Sequence, residues 1–210
     1  VEGLRQFIIS QGSSKSSVFM EWDKIWAINK KVIDPIAPRY TALEIDDQVI
    51  VNVAGAKLEE VQIPVHPKNA EIGTKSVWLG PQVIIDHADA ECLKEGENAT
   101  FVNWGNLLIK KINKTNGKIT SVDADLNLSN TDFKKTFKLT WLCKQEPSSY
   151  PLTYCVFFEH IISKPMIGKD EDFKQFIAKD TRKEVKMLGD PELKKCKKND
   201  IIQLQRRGFF

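Results

Sequence analysis

Leu107-Leu108-Ile109-Lys110-Lys111-Ile112-Asn113-Lys114-Thr115-Asn116-Gly117-Lys118-Ile119-Thr120-Ser121-Val122 is the stretch that decides the fold. Two short apolar, β-branched runs flank Asn116-Gly117. Both central positions of a type I′ turn need positive φ, which Asn and Gly tolerate, so the stretch predicts an antiparallel hairpin. Outward from it the same pattern repeats. Beyond Tyr40 nearly every apolar cluster is short and bounded by turn residues, which predicts strands at residues 40–44, 48–53, 61–65, 82–86, 100–103, 107–112, 119–124, 136–142, 153–162 and 201–204. No helical crossovers separate these strands, so closed or nearly closed barrels are expected rather than a parallel sheet. One late helix is expected at about residues 171–178, with Phe173, Phe176 and Ile177 as its buried face.

Before Tyr40 the period changes. Leu4, Phe7, Ile8 and Gln11 fall on one helical face, and Gly12 stands where a C-terminal cap belongs. Phe19, Trp22, Ile25, Trp26 and Ala27 recur at three and four, which predicts a second helix ending near Asp34-Pro35, since the residue before proline resists the helical conformation. Pro35 and Pro38 then bracket a stiff extended linker. The fold class is mainly β with an N-terminal helical part.

Composition narrows the partners. The chain has 210 residues, 41% of them hydrophobic, enough for one large or two small domains. Charged residues make up 28% with both signs interspersed, and the formal net charge is only +3, so any RNA-binding surface must be local. No apolar run approaches the roughly 20 residues of a membrane span. Val1-Glu2-Gly3-Leu4 has neither a basic region nor a signal core. Cys92, Cys143, Cys155 and Cys196 lack a C-x-x-C pair and a histidine at ligand spacing, which predicts reduced thiols in a cytoplasmic protein rather than zinc or disulfides. The sequons at Asn98, Asn113 and Asn127 are expected to be chance matches. The missing initiator Met, and the end at Gly208-Phe209-Phe210 directly after a strand-like run, read as an excised segment.

Catalytic chemistry finds no support. Gly117-Lys118 and Gly168-Lys169 lack the spacing of a phosphate-binding loop and read as turns. His66 precedes Pro67 in a loop and His160 lies in an apolar strand, so the histidines do not assemble a nucleophilic triad. Asp86, Asp89 and Glu91, and Asp123 with Asp125, read as solvated strand-end residues rather than a cation site. No catalytic residue and no metal ligand is expected.

Reading of single-stranded RNA bases uses Arg, Gln and Asn side chains near aromatic surfaces and scattered lysines. Two places fit. In Ala37-Pro38-Arg39-Tyr40 the prolines stiffen the backbone around a lone Arg. In Gln203-Leu204-Gln205-Arg206-Arg207 an alternating strand would send Gln203, Gln205 and Arg207 to one side. Ordinary surface residues on a barrel are the competing reading from composition alone.

The order of motifs along the chain adds a resemblance. VEGLRQFI (1–8), QGSS (11–14), MEWDKIWAINKKVIDPIAPRY (20–40), HPKNAEIG (66–73), IIDHADAE (84–91), FVNWGN (101–106), GKDEDFKQF (168–176), LGDPELK (188–194) and DIIQLQRRGFF (200–210) resemble the segment after the catalytic domain in eukaryotic glutamyl-tRNA synthetases. The resemblance is greatest to the glutamyl half of the bifunctional glutamyl-prolyl enzymes, and a weaker form extends to bacterial glutaminyl-tRNA synthetase. It covers essentially the whole chain. It implies a helical connector over residues 1–35 and, over residues 36–210, two β-barrels of the glutaminyl/glutamyl-tRNA synthetase anticodon-binding type, truncated at the C-terminal end.

The resemblance also implies a role. The chain would bind the anticodon stem-loop of glutamate tRNA between the barrels, with no cofactor of its own. ATP and Mg would serve a catalytic domain upstream, since the H-I-G-H and K-M-S-K-S types of signature are absent here. Arg39 and Gln203 match the family's Arg and Gln that read the middle anticodon uridine, and Arg206 matches a family Arg expected to touch phosphate or loop. The physics agrees: Arg donates to a uracil carbonyl, and a Gln amide both donates to a carbonyl and accepts from the imino N–H. The departure lies in residues 90–102, shorter here and without the basic residues that read the other two bases in the glutaminyl enzyme. Asn103, Trp104 and Asn106 are candidates in their place, with Trp104 equally readable as core. Partners are then glutamate tRNA and possible neighbours in a multi-synthetase complex, with neither DNA nor membrane expected. Two rival readings stay open: a protein-interaction scaffold in that complex, and a general single-strand binder.

Overall fold

The computed structural model of the protein describes residues 1–16, 20–145, 147 and 149–210. It divides into two compact units, Val1–Ala37 with Tyr154–Val185, and Pro38–Thr153 with Lys186–Phe210.

In the first unit, helices Glu2–Ser10 and Trp22–Ile33 form where the three-and-four period predicts them. Gly12 takes a left-handed φ of 73° and donates to the Ile9 carbonyl, closing the first helix. The second stops with Asp34 at its C-cap, immediately before Pro35. Their faces differ from expectation. Leu4, Ile8, Trp22 and Trp26 are more than half exposed, and the two indoles stack on each other at 6.1 Å between centroids. The helices meet instead at Gly3, where an added Cβ would lie 2.5 Å from Asn29 Oδ1. Phe19, expected on the second helical face, lies outside the described residues.

The expected helix at residues 171–178 is corrected to a single 3-10 turn, Phe173–Phe176, capped by the Asp172 carboxylate accepting from the Lys174 N–H. Ile177 turns extended and bridges to Ile162, while the Ser163 and Ala178 amides bond to the Phe176 and Ile161 carbonyls. Phe173 and Ile177 are consequently exposed rather than buried.

The second unit is built on a seven-stranded sheet. Its order is Phe137–Leu139, Asn98–Phe101, Gly105–Thr115, Lys118–Leu126, Gln48–Ala54, Gln82–Asp86, Leu142–Cys143. Residues 137–143 therefore lie along both edges, parallel to Asn98–Phe101 on one side and antiparallel to Gln82–Asp86 on the other. One short segment occupies two edges, the means by which a barrel avoids leaving them open. The sheet is mixed rather than free of parallel pairs, since Gln48–Ala54 also runs parallel to Lys118–Leu126.

The hairpin at its centre follows the sequence closely. Asn116 and Gly117 take φ of 52° and 81°, and Thr115 pairs with Lys118. A register shift between Ile109 and Lys111 explains the doubled lysine: a bulge turns Lys110 and Lys111 both outward while Ile109 stays buried. Val49, Val51, Val83, Ile85, Phe101, Leu107, Ile109, Val122 and Leu139 fill the interior. The family of strands also includes two without an expected counterpart, Thr74–Leu79, paired to Glu59–Pro64, and Arg182–Gly189, whose Met187 to Gly189 pair with Ala42–Glu44.

Asn106 and the Lys75–Asp190 pair are polar groups buried within this unit and engaged by partners. The Asn106 amide has no exposed surface; its Oδ1 accepts from Thr100 Oγ1 at 2.6 Å and its Nδ2 donates to the Asn130 carbonyl at 3.0 Å and the Asp132 carbonyl at 3.3 Å. Lys75 and Asp190, each about 5% exposed, form an ion pair, and the other Asp190 oxygen caps the 3-10 turn Pro191–Lys195 through the Glu192 amide. Asn106→Leu strands these buried partners and should cost about 3 kcal/mol in urea unfolding; a loss below about 0.5 kcal/mol would contradict the assignment. Lys75→Met, which leaves a buried carboxylate unpaired, should cost about 3–5 kcal/mol, and adding Asp190→Asn should recover part of that loss.

Candidate nucleic-acid interface

Pro38 cannot donate a backbone hydrogen bond but its carbonyl accepts one, and here it takes the Gln203 N–H at 2.9 Å. The Gln205 N–H donates to Tyr40 O at 2.9 Å, and residues 39–40 run parallel to residues 203–204 with Arg39 opposite Gln203 and Tyr40 opposite Leu204. Residues in register on neighbouring strands project to the same face, about 5 Å apart, and successive residues alternate faces. Leu204 is 1% exposed and marks the inner face. Arg39 and Gln203, partly exposed, share the other one.

Both sides of this ribbon are braced. The Arg39 N–H donates to Val65 O at 3.0 Å, Gln203 pairs with Phe209, and Ile202 and Phe210 exchange two backbone bonds. Beneath it, the Lys75 ammonium lies 4.9 Å from the centroid of the Tyr40 ring. Burial pushes the Tyr40 phenol well above its ordinary range, with the neighbouring Cys196 adding to the shift; burial likewise pushes the Cys196 thiol up. These groups stay neutral and act as packing. His66, 2% exposed, brings Nε2 within 3.4 Å of Arg39 Nη2. Its Nδ1 accepts from the Lys68 N–H at 3.1 Å. The buried imidazole lies directly beside the guanidinium. Sequence reasoning placed His66 only in a loop; its position directly before Pro67 in the HPKNAEIG motif was the available signal.

The other candidates separate. The strand ends at Leu204, and Arg206 takes a left-handed φ of 65° in the turn to Gly208–Phe209, so the expected one-sided display of Gln203, Gln205 and Arg207 is corrected. Gln205 accepts from Thr41 Oγ1, Arg206 pairs through both terminal nitrogens with Asp89, and Arg207 reaches Glu44 at 2.9 Å and Asp86 at 2.6 Å. Hydrogen bonding to Asp89 raises the Arg206 pKa further, whereas burial outweighs the nearby Arg207 charge and raises that of Asp86.

Asn103 is exposed at φ 66° in the tight turn closed by the Trp104 N–H on Phe101 O. It lines a cleft with Lys75, Trp78, Trp141 and Tyr150. Trp104 meets Phe101 edge-on and tilts over Trp141 at 4.9 Å, so its ring packs on the core. Asn106 is removed from the candidate set, because an amide without exposed surface and with all its bonds made cannot meet a base. Lys194, Lys195, Lys197 and Lys198 are exposed just before the Gln203 strand. Among the described residues, no group of three or more His, Cys, Asp or Glu side chains is arranged to hold a metal ion, and no helix is long and apolar enough to cross a membrane. None of the four cysteines forms a disulfide.

Comparison with known proteins agrees with this geometry. Residues 37–127 and 138–210 each match a family described as tRNA synthetases class I (E and Q), anti-codon binding domain. The chain is 72% identical to a bifunctional glutamate/proline–tRNA ligase of Drosophila melanogaster and 60% identical to that of Mus musculus, along its whole length but over only 12% and 14% of theirs. It is 40% identical to the cytoplasmic glutamate–tRNA ligase of Saccharomyces cerevisiae, again along its whole length and over 29% of the relative. Arg39 and Gln203, paired in one ribbon, fall one in each matched half. The chain belongs to the anticodon-binding family of the class I tRNA synthetases for glutamate and glutamine.

Proposed function

We propose that the chain serves a glutamate–tRNA ligase by binding the anticodon stem-loop of glutamate tRNA, with Arg39 and Gln203 reading the middle uridine. The observation that carries this is the parallel register of the two residues, which sets an always-charged donor beside an amide able to donate and accept. A uracil edge offers two carbonyls and one imino N–H, the complement of that pair. The exposed lysines at 194, 195, 197 and 198 would add phosphate contacts without sequence preference. Residues 1–35 would be the helical connector and residues 36–210 the anticodon-binding barrels. Attachment of glutamate, with its ATP and Mg, we assign to a catalytic region outside these residues, in a cytoplasmic enzyme of either the single or the bifunctional glutamate/proline type.

A second role, docking of neighbouring synthetases, is supported by Trp22 and Trp26, each 58% exposed. Partners that co-purify after RNase treatment and persist with Arg39→Ala and Gln203→Ala would establish it; loss of every partner with RNase would remove it. For base reading the test is equilibrium binding of synthetic stem-loops differing only at the middle base. Arg39→Ala and Gln203→Ala should each weaken binding of the uridine form by roughly 1–3 kcal/mol and erase the preference over cytidine. Equal loss for both bases would sink the assignment.

A further inference from the structure

The turn after Gln203 is tied down by three consecutive side chains reaching four partners: Gln205 to Thr41, Arg206 to Asp89, and Arg207 to Glu44 and Asp86. The central tie has the most demanding geometry. Asp89 sits on the short helix His87–Glu91 with its side chain 8% exposed, and its two oxygens take both terminal nitrogens of Arg206, the second contact at 2.7 Å. The guanidinium also lies 5.5 Å from the centroid of the Phe137 ring. Two parallel N–H···O bonds fix a guanidinium in position and plane. Arg206 itself holds a left-handed backbone, which is unfavourable for a residue with a Cβ and persists only where its surroundings impose it.

The strand that carries Gln203 is only two residues long, Gln203–Leu204, and the turn is its sole continuation to Gly208–Phe209. A ribbon this short does not hold a flexible amide to one geometry through its ladder alone. Asp89 also has reason to keep its partner, because a nearly buried carboxylate left without its cation is costly.

We propose that Asp89 is a positioning residue for base recognition: through its paired bonds to Arg206 it fixes the turn, and with it the placement of Gln203 beside Arg39. The inference rests on the reading of Arg39 and Gln203 as base contacts. Asp89 touches no RNA in this arrangement, and Arg206 is occupied by protein rather than phosphate.

The test measures binding of synthetic anticodon stem-loops with uridine or cytidine at the middle position, across a salt series, to the full chain and to Asp89→Asn, Arg206→Gln and the double variant. Arg206→Lys and Gln203→Ala run alongside, with thermal unfolding of each. Asp89→Asn and Arg206→Gln should each lower the uridine preference about tenfold, as expected for losing a charged hydrogen-bonded pair. The double variant should lose no more than either single one, and the slope of log affinity against log salt should not change. Arg206→Lys, which keeps the charge but not the two-point geometry, should show the same loss, so the prediction survives even if Asp89→Asn fails to fold. Full preference in folded Asp89→Asn would overturn the proposal. So would a salt slope lowered by about 0.7 in Arg206→Gln, the signature of one lost single-strand phosphate contact. If Gln203→Ala itself keeps the preference, the base-reading assignment falls and the positioning role with it.

Discussion

The parallel pairing of Arg39-Tyr40 with Gln203-Leu204 is the constraint on which the interface depends. It joins residues near opposite ends of the chain, and a one-residue slip would turn Gln203 inward and Leu204 outward. Register is fixed because the inner face cannot tolerate that exchange: Leu204 is fully packed, and Tyr40 lies over the Lys75–Asp190 ion pair. Closing so long a loop costs little more than closing a shorter one, since the entropy grows only with the logarithm of length. The pairing is therefore decided by packing under the ribbon and by the Pro38, Val65 and Tyr40 carbonyls along it.

For a nearly neutral chain, the proposed contact with RNA would rest on this ribbon rather than on overall charge. A net charge of +3 gives no broad attractive field. Arg206 and Arg207 are committed to Asp89, Asp86 and Glu44, so they build the scaffold more than they add to the surface potential. Arg39 stands beside the buried His66 imidazole, 3.4 Å from its Nε2. Local presentation of one guanidinium and one amide suits recognition of a single base, where hydrogen-bond geometry matters more than total charge.

What was legible in the sequence was local. Asn116-Gly117 set its hairpin, Gly12 and Asp34-Pro35 ended their helices, and residues 82–86 form the strand their short β-branched run announced. The pairing of Arg39 with Gln203 spans most of the chain and leaves no local period, so only the ordered motifs singled out the two residues for the proposed site. The misses have physical causes. Phe173, Phe176 and Ile177 fit a helical period, yet Ile177 gained a bridge to Ile162 that the period does not encode. Thr74–Leu79 and Arg182–Gly189 were not expected as strands; each carries lysine, and Lys75 is buried only because the distant Asp190 pairs with it. Asn106 looked like an available amide because the sequence does not show Thr100, Asn130 and Asp132 converging on it.

The most direct measurement of the central claim is a structure of this chain bound to a glutamate-tRNA anticodon stem-loop. The account predicts the middle uracil unstacked against the ribbon, its carbonyls and imino N–H within hydrogen-bond distance of the Arg39 guanidinium and the Gln203 amide. A complex in which that base lies elsewhere, with Arg39 and Gln203 touching only phosphate or solvent, would contradict it.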